Sequence, residues 1–316
     1  MNQRRLSLGA RGIRRGIRKR RKLKNIAVLP SLVTLMNGIC GFIAIVLASN
    51  GIGAAWEPDF FPQANISFFA LAGYMIFLGM IADVLDGHIA RISNATSSFG
   101  AQLDSLCDVV SFGVAPAFLM MKLVGTYSQS LQVGTHDFIL IPERAVHLIA
   151  VIYVMCTIIR LARFNVETKS DDDHLGFVGL PSPAAAGVIV SMVVLQQDFL
   201  PRIAIWRDIS TDGITAVIIW ILPLTTLFAG ILMVTRIPYP HLVKRIFSGK
   251  KRFSTFLLIL FVIPLMIWNI QLAMTLGFCI FALYGVIRWL FIITFSKKKK
   301  DVETEKPIER NLGNGI

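Results

Sequence analysis

The chain has 316 residues, of which 54% are hydrophobic and only 16% charged, and its mean hydropathy is +0.65. Ordinary soluble domains carry about 25% charged residues, so this composition excludes a soluble globular protein and indicates an integral membrane protein. The net charge of +13 reads as a topology signal, because the basic residues gather beside apolar stretches; no nucleic-acid partner is expected.

The N-terminal segment MNQRRLSLGARGIRRGIRKRRKLKN contains eleven lysines and arginines. No short apolar core with a small-residue cleavage site follows it, so the first apolar run is expected to be retained as a span. Eight stretches are apolar and long enough to be candidates for crossing about 30 Å of hydrocarbon. They run approximately Leu29–Ala48, Ile66–Ala82, Ser105–Val124, Val146–Arg163, Pro183–Leu195, Ile214–Val234, Ser254–Trp268 and Ile270–Phe295. The expected fold is therefore an all-α, polytopic membrane bundle of about eight helices. Pro116 falls inside the third span and is expected to distort it, with Pro264 a second candidate in the seventh.

Orientation follows from the positive charges. The basic arm, Arg91, Arg160, Arg163, the cluster from Arg236 to Arg252 and the run Lys297–Lys300 alternate with loops that carry few cations. By the positive-inside rule both termini face the cytoplasm of a cell (inner) membrane, and the arm is suited to anionic lipid headgroups. The loops Gly125–Arg144 and Gln197–Gly213 are expected outside. The loop Glu167–Gly179, whose SDDDH run reads as a solvated segment, is expected inside. Cys40, Cys107, Cys156 and Cys279 all lie in apolar runs without paired spacing, as buried small residues do rather than disulfides or metal ligands.

Chemistry concentrates in DVLDGHIARISNATSSFGAQLDSLCD, residues 83–108. The second span is expected to continue as helix to about Ile92, which puts Asp83 and Asp86, three apart, on one face. The SNATSS segment ends that helix, and a second helix carries Asp104 and Asp108, four apart and again on one face. Two helices joined by a short loop are most simply antiparallel neighbours, so both pairs can share one cleft at the cytoplasmic edge of the bilayer. Facing carboxylates repel unless a cation sits among them, and hard oxygen ligands suit Mg²⁺, Mn²⁺ or Ca²⁺ rather than zinc. Two such ions would make a phosphoryl-transfer clamp. Arg91 can grip a phosphate, and Gly87 leaves room for a ligand near the backbone. The rival readings are scattered surface aspartates and a cation- or proton-coupled transporter. Transporter carboxylates usually sit at the bilayer midplane, whereas these flank a loop.

The pattern Asp83-x-x-Asp86-Gly87-x-x-Ala90-Arg91, eight further residues, then Gly100-x-x-x-Asp104-x-x-x-Asp108 resembles the signature of the CDP-alcohol phosphotransferases at every fixed position. The resemblance implies that Asp83, Asp86 and Asp104 hold a centre of two Mg²⁺ or Mn²⁺ ions, and that Asp108 reaches it and serves as general base. It also implies that Gly87, Ala90, Arg91 and Gly100 belong to the CDP-lipid site, and that the protein is a homodimer. Three further segments, DSLCDVVSFGVAPA (104–117), RLARFN (160–165) and GLPSPAAAG (179–187), together with the opening LPSLVTLMNGICGF, are similar to the phosphatidylserine synthase branch. That branch uses CDP-diacylglycerol and L-serine. Glycerol 3-phosphate and inositol, used by sister enzymes, are the alternative acceptors.

Arg160 and Arg163 share a helix face near the cleft and are candidates for the acceptor's negative group. Asn165, Ser105 and Ser111 are candidate polar contacts, and the small residues of GLPSPAAAG suit close helix packing. The expected organisation is a cytoplasmic arm (1–25), a transferase membrane domain (26–240), two additional helices (241–296) and a cytoplasmic tail (297–316).

Overall fold

The computed structural model describes residues 31–51, 55–56, 66–93, 98–131, 142–167, 179–207, 210–237 and 269–289. The helices are α1 (Ser31–Ser49), α2 (Phe68–Ser93), α3 (Ser98–Asp108), α4 (Ala115–Leu131), α5 (Glu143–Glu167), α6 (Ser182–Val194), α7 (Leu200–Arg207), α8 (Asp212–Val234) and α9 (Ile270–Trp289). A two-residue antiparallel ribbon, Ala55–Trp56 with Ile66–Ser67, leads into α2. Seven helical segments among the described residues are long and apolar enough to span a membrane, with α3 running into α4 and α6 into α7. The protein is thus a polytopic helical membrane protein. The expected span Ser254–Trp268, the basic arm, the SDDDH run and the tail lie outside the described residues.

The bundle is organised around α6, where every residue of Ser182–Val194 except Pro183 is buried. Ala184, Ala185, Ala186 and Gly187 keep its surface thin, so α2 and α8 pack directly on it. A Cβ at Gly187 would lie 2.3 Å from the Phe278 ring of α9, so the last described helix is seated on the same small-residue face. Gly179 precedes α6 with φ of 92°, a left-handed conformation that a side chain would strain. That turn lets the Leu180 N–H donate to the Leu232 carbonyl at 3.0 Å, tying the GLPSP segment to the end of α8.

Pro116 acts on the helix more locally than a simple kink. The residues just before it, Val109–Val114, form a π-helical turn that joins α3 to α4 without a break. Proline has no N–H to donate four residues back. The carbonyl at that position, Phe112, instead accepts the Tyr153 hydroxyl of α5 at 2.9 Å. A second π-helical turn, Leu195–Phe199, likewise ends two residues before a proline, Pro201.

Several expected boundaries are corrected. The third span begins at Phe99, the fifth runs Ser182–Ile205, and α4 continues to Leu131. Residues expected in the loop Gln197–Gly213 are helical as far as Arg207. The cause is a polar hub that charge counting read as loop. Asp198, only 4% exposed, accepts Tyr74 Oη–H at 2.6 Å and Gln271 Nε2–H at 2.9 Å, and pairs with Arg202 at 2.6 Å one turn on. Satisfied in this way, a buried carboxylate can stay inside a helix. The same hub fastens α9 to α2 and α6, assisted by the Thr275 hydroxyl on the Ser191 carbonyl and by Phe278 stacked on Phe77.

Replacing Asp198 by Ala strands the Tyr74 O–H and leaves the Gln271 amide only its 3.3 Å bond to the Tyr74 oxygen, and is expected to destabilise the fold by about 1–3 kcal/mol. Arg202 is 59% exposed, so Arg202→Ala is expected to cost only about 0–1 kcal/mol. Thermal unfolding of the two variants in detergent checks the difference.

Candidate metal and transfer site

The site is built between the C-terminal half of α2 and the length of α3. Asp83 of α2 and Asp104 and Asp108 of α3 each offer a carboxylate oxygen, and these three atoms lie within 4.8 Å of one another. Asp108 is buried and Asp83 and Asp104 are half-buried. At an effective dielectric of about 20, unit charges at this separation repel by roughly 3–4 kcal/mol per pair. Asp86 stands beside this close set rather than in it. It is also buried, and its Thr34 and Gly87 N–H partners leave Oδ2 without a hydrogen bond.

Two observations suit this cluster to a cation. Asp86 Oδ2 and Asp104 Oδ1 are buried without a protein partner, a costly condition unless something positive or protic meets them. The donor set is all carboxylate oxygen, which suits a hard divalent ion. Gly87 sits within the same stretch, and nothing lies within 4 Å of where its Cβ would be, so open space adjoins the acids there. Ala90 and Arg91 continue the α2 backbone, but their side chains lie outside the described residues. Gly100 is half-buried in the first turn of α3.

The residues singled out on α5 divide. Arg160 reaches the site: its guanidinium lies within the field of Asp108 and Asp83, its Nη1 donates to Ser182 Oγ at 2.7 Å, and its Nε is buried without a partner. Asn165 and Ser105 meet each other, Nδ2 to Oγ at 2.9 Å. Arg163 is half-buried on the last turns of α5. Ser111 faces inward and donates to the Asn37 carbonyl at 2.8 Å. Ser182, in a segment read only for packing, holds Arg160 in place.

From sequence, α1 carries a family resemblance but no assigned site residue. Asn37, fully buried, donates from Nδ2 to Asp108 Oδ1 at 3.0 Å, and Thr34 serves Asp86. A signal was present: two polar residues three apart on one face of an otherwise apolar span, next to Gly38 and Gly41.

Helices and carboxylates together describe an integral membrane protein with a close set of acids between α2 and α3. Residues 27–234 match the family model for CDP-alcohol phosphatidyltransferase, and the chain belongs to that family; it is a membrane phosphotransferase of phospholipid biosynthesis. Among its relatives is the CDP-diacylglycerol–serine O-phosphatidyltransferase of Helicobacter pylori, 32% identical over 234 residues, covering 73% of this chain and 86% of that protein. The protein of the same name from Methanocaldococcus jannaschii is 30% identical over 268 residues, covering 85% and 97%. That of Saccharomyces cerevisiae is 33% identical over 166 residues, half of each chain.

An ion bound only by the folded carboxylate set stabilises the fold by mass action, by about 2.7 kcal/mol at a hundred times its dissociation constant. Mn²⁺ is therefore expected to raise the melting temperature of the wild-type protein in a concentration-dependent way. The shift should shrink sharply in Asp104→Asn. Thermal scans over a Mn²⁺ series measure both.

Proposed function

We propose that the protein transfers the phosphatidyl group of CDP-diacylglycerol to the hydroxyl of L-serine, releasing CMP. The observation that carries the reading is the close set of Asp83, Asp104 and Asp108 with the buried, unpartnered oxygens of Asp86 and Asp104, in a chain whose relatives bear the name of that activity. Asp83, Asp86, Asp104 and Asp108 would hold two divalent ions, Mg²⁺ or Mn²⁺, which supply charge neutralisation for the pyrophosphate and for the departing CMP.

The chain's own groups do the rest. Gly87, Ala90, Arg91 and Gly100 border the CDP-lipid, with open space at Gly87 for its approach. Asp108 takes the proton from the serine hydroxyl. The hydroxyl oxygen then forms its bond to the phosphatidyl phosphorus, and the bond from phosphorus to the CMP oxygen breaks, CMP keeping the electron pair. Arg160, with a buried free Nε beside the acids, neutralises the serine carboxylate, and Arg163, Asn165 and Ser105 line the acceptor side. Catalysis rests on positioning and charge stabilisation. The same proposal puts the cleft and both termini on the cytoplasmic side of the inner membrane, takes residues 26–240 as the transferase domain with 241–296 added to it, and takes the working form as a homodimer.

Purified protein given CDP-diacylglycerol and Mn²⁺ is expected to release CMP with serine and not with glycerol 3-phosphate or inositol, and a chelator should abolish the release. Turnover with another alcohol in place of serine would overturn the acceptor assignment. Asp108→Asn is expected to lower kcat by about 100-fold or more, the scale of a lost general base. Full activity in that variant would remove Asp108 from the role.

A further inference from the structure

We infer that Asn37 of α1 is a positioning residue for Asp108, an inference that rests on the reading of Asp108 as general base. Three helices meet at this side chain. Its Nδ2–H donates to Asp108 Oδ1 at 3.0 Å, which fixes the plane of the carboxylate relative to Asp83 and Asp104. The backbone carbonyl of the same residue accepts the Ser111 hydroxyl at 2.8 Å, so Asn37 grips the chain both at Asp108 and one turn beyond it. Residues 109–114 form the π-helical turn that follows directly on Asp108.

The register of α1 against this segment is set by glycine. A Cβ at Gly41 would lie 2.7 Å from the Ser111 Cα, and one at Gly38 would lie 3.0 Å from Cys107 Sγ. At Gly41 only hydrogen lets α1 come this close, and at Gly38 a side chain would be tight, so both favour the approach by which Asn37 reaches Asp108. On the third side, a Cβ at Gly79 of α2 would lie 3.0 Å from Asn37 Oδ1.

Packing alone does not account for an amide here. Asn37 is completely buried, and its Oδ1 has no hydrogen-bond partner. A buried, half-satisfied amide costs stability that an apolar side chain of the same size would not. What the amide provides in return is an N–H donated to Asp108. A residue acting through another in this way typically contributes 10–100-fold to activity.

The test uses the full-length protein in detergent with CDP-diacylglycerol, serine and Mn²⁺, comparing wild type, Asn37→Leu and Asp108→Asn. Asn37→Leu is expected to lower kcat about 10–100-fold, with KM for both substrates little changed and a melting temperature no lower than wild type. Should the leucine variant fail to fold, Asn37→Ala, which only removes atoms, is expected to give the same split between kcat and KM. Unchanged kcat in a folded Asn37 variant, or a kcat loss that comes with raised KM for both substrates and a lowered melting temperature, would overturn the positioning role. An active Asp108→Asn would instead overturn the base reading and the inference with it, so the two failures are distinguishable.

Discussion

Carboxylates drawn together at the end of an apolar bundle repel, and the arrangement of this protein depends on what offsets that repulsion. Asp83, Asp104 and Asp108 present oxygens within 4.8 Å of one another, with buried Asp86 beside them. The protein supplies part of the compensation through Arg160, Asn37 and Thr34. It stops short of satisfying all of it, leaving Asp86 Oδ2 and Asp104 Oδ1 buried and unpartnered. A fold selected only for stability would have capped those atoms; one that holds cations leaves them open.

The scaffold is built to hold that cleft still. Tyr74 lies nine residues before Asp83 on α2, on the order of 14 Å along the helix. There it joins Asp198, Gln271 and Arg202 in a hub whose hydrogen bonds are made within the protein. One helix therefore carries a closed polar centre, which fixes packing, and an open one, which can take ligands. The two π-helical turns serve the same end. Each lies beside a proline that interrupts the ladder, and at Pro116 the released Phe112 carbonyl is bonded by Tyr153 of α5. The distortion thus becomes a tie between helices close to Asp108.

Much of this was legible in the sequence, for physical reasons that can be named. Apolar length gave the spans, because a helix in hydrocarbon needs an unbroken run. The 3.6-residue period put Asp83 with Asp86, and Asp104 with Asp108, on shared faces. What the sequence could not convey was partnership between distant helices. Asn37 lies 71 positions from Asp108, and its polar face with Thr34 does not by itself say which acids it meets. Ser182 read as part of a packing stretch because its bond to Arg160 depends on how α5 and α6 cross. Asp198 marked a loop by charge, and only its burial among Tyr74 and Gln271 explains why the helix continues.

The central claim is that these acids hold divalent cations between them. Crystals grown with Mn²⁺ and measured for anomalous scattering test it most directly. The account predicts anomalous peaks within bonding distance of carboxylate oxygens of Asp83, Asp104 and Asp108. Peaks only elsewhere, or none there at saturating Mn²⁺, would contradict it.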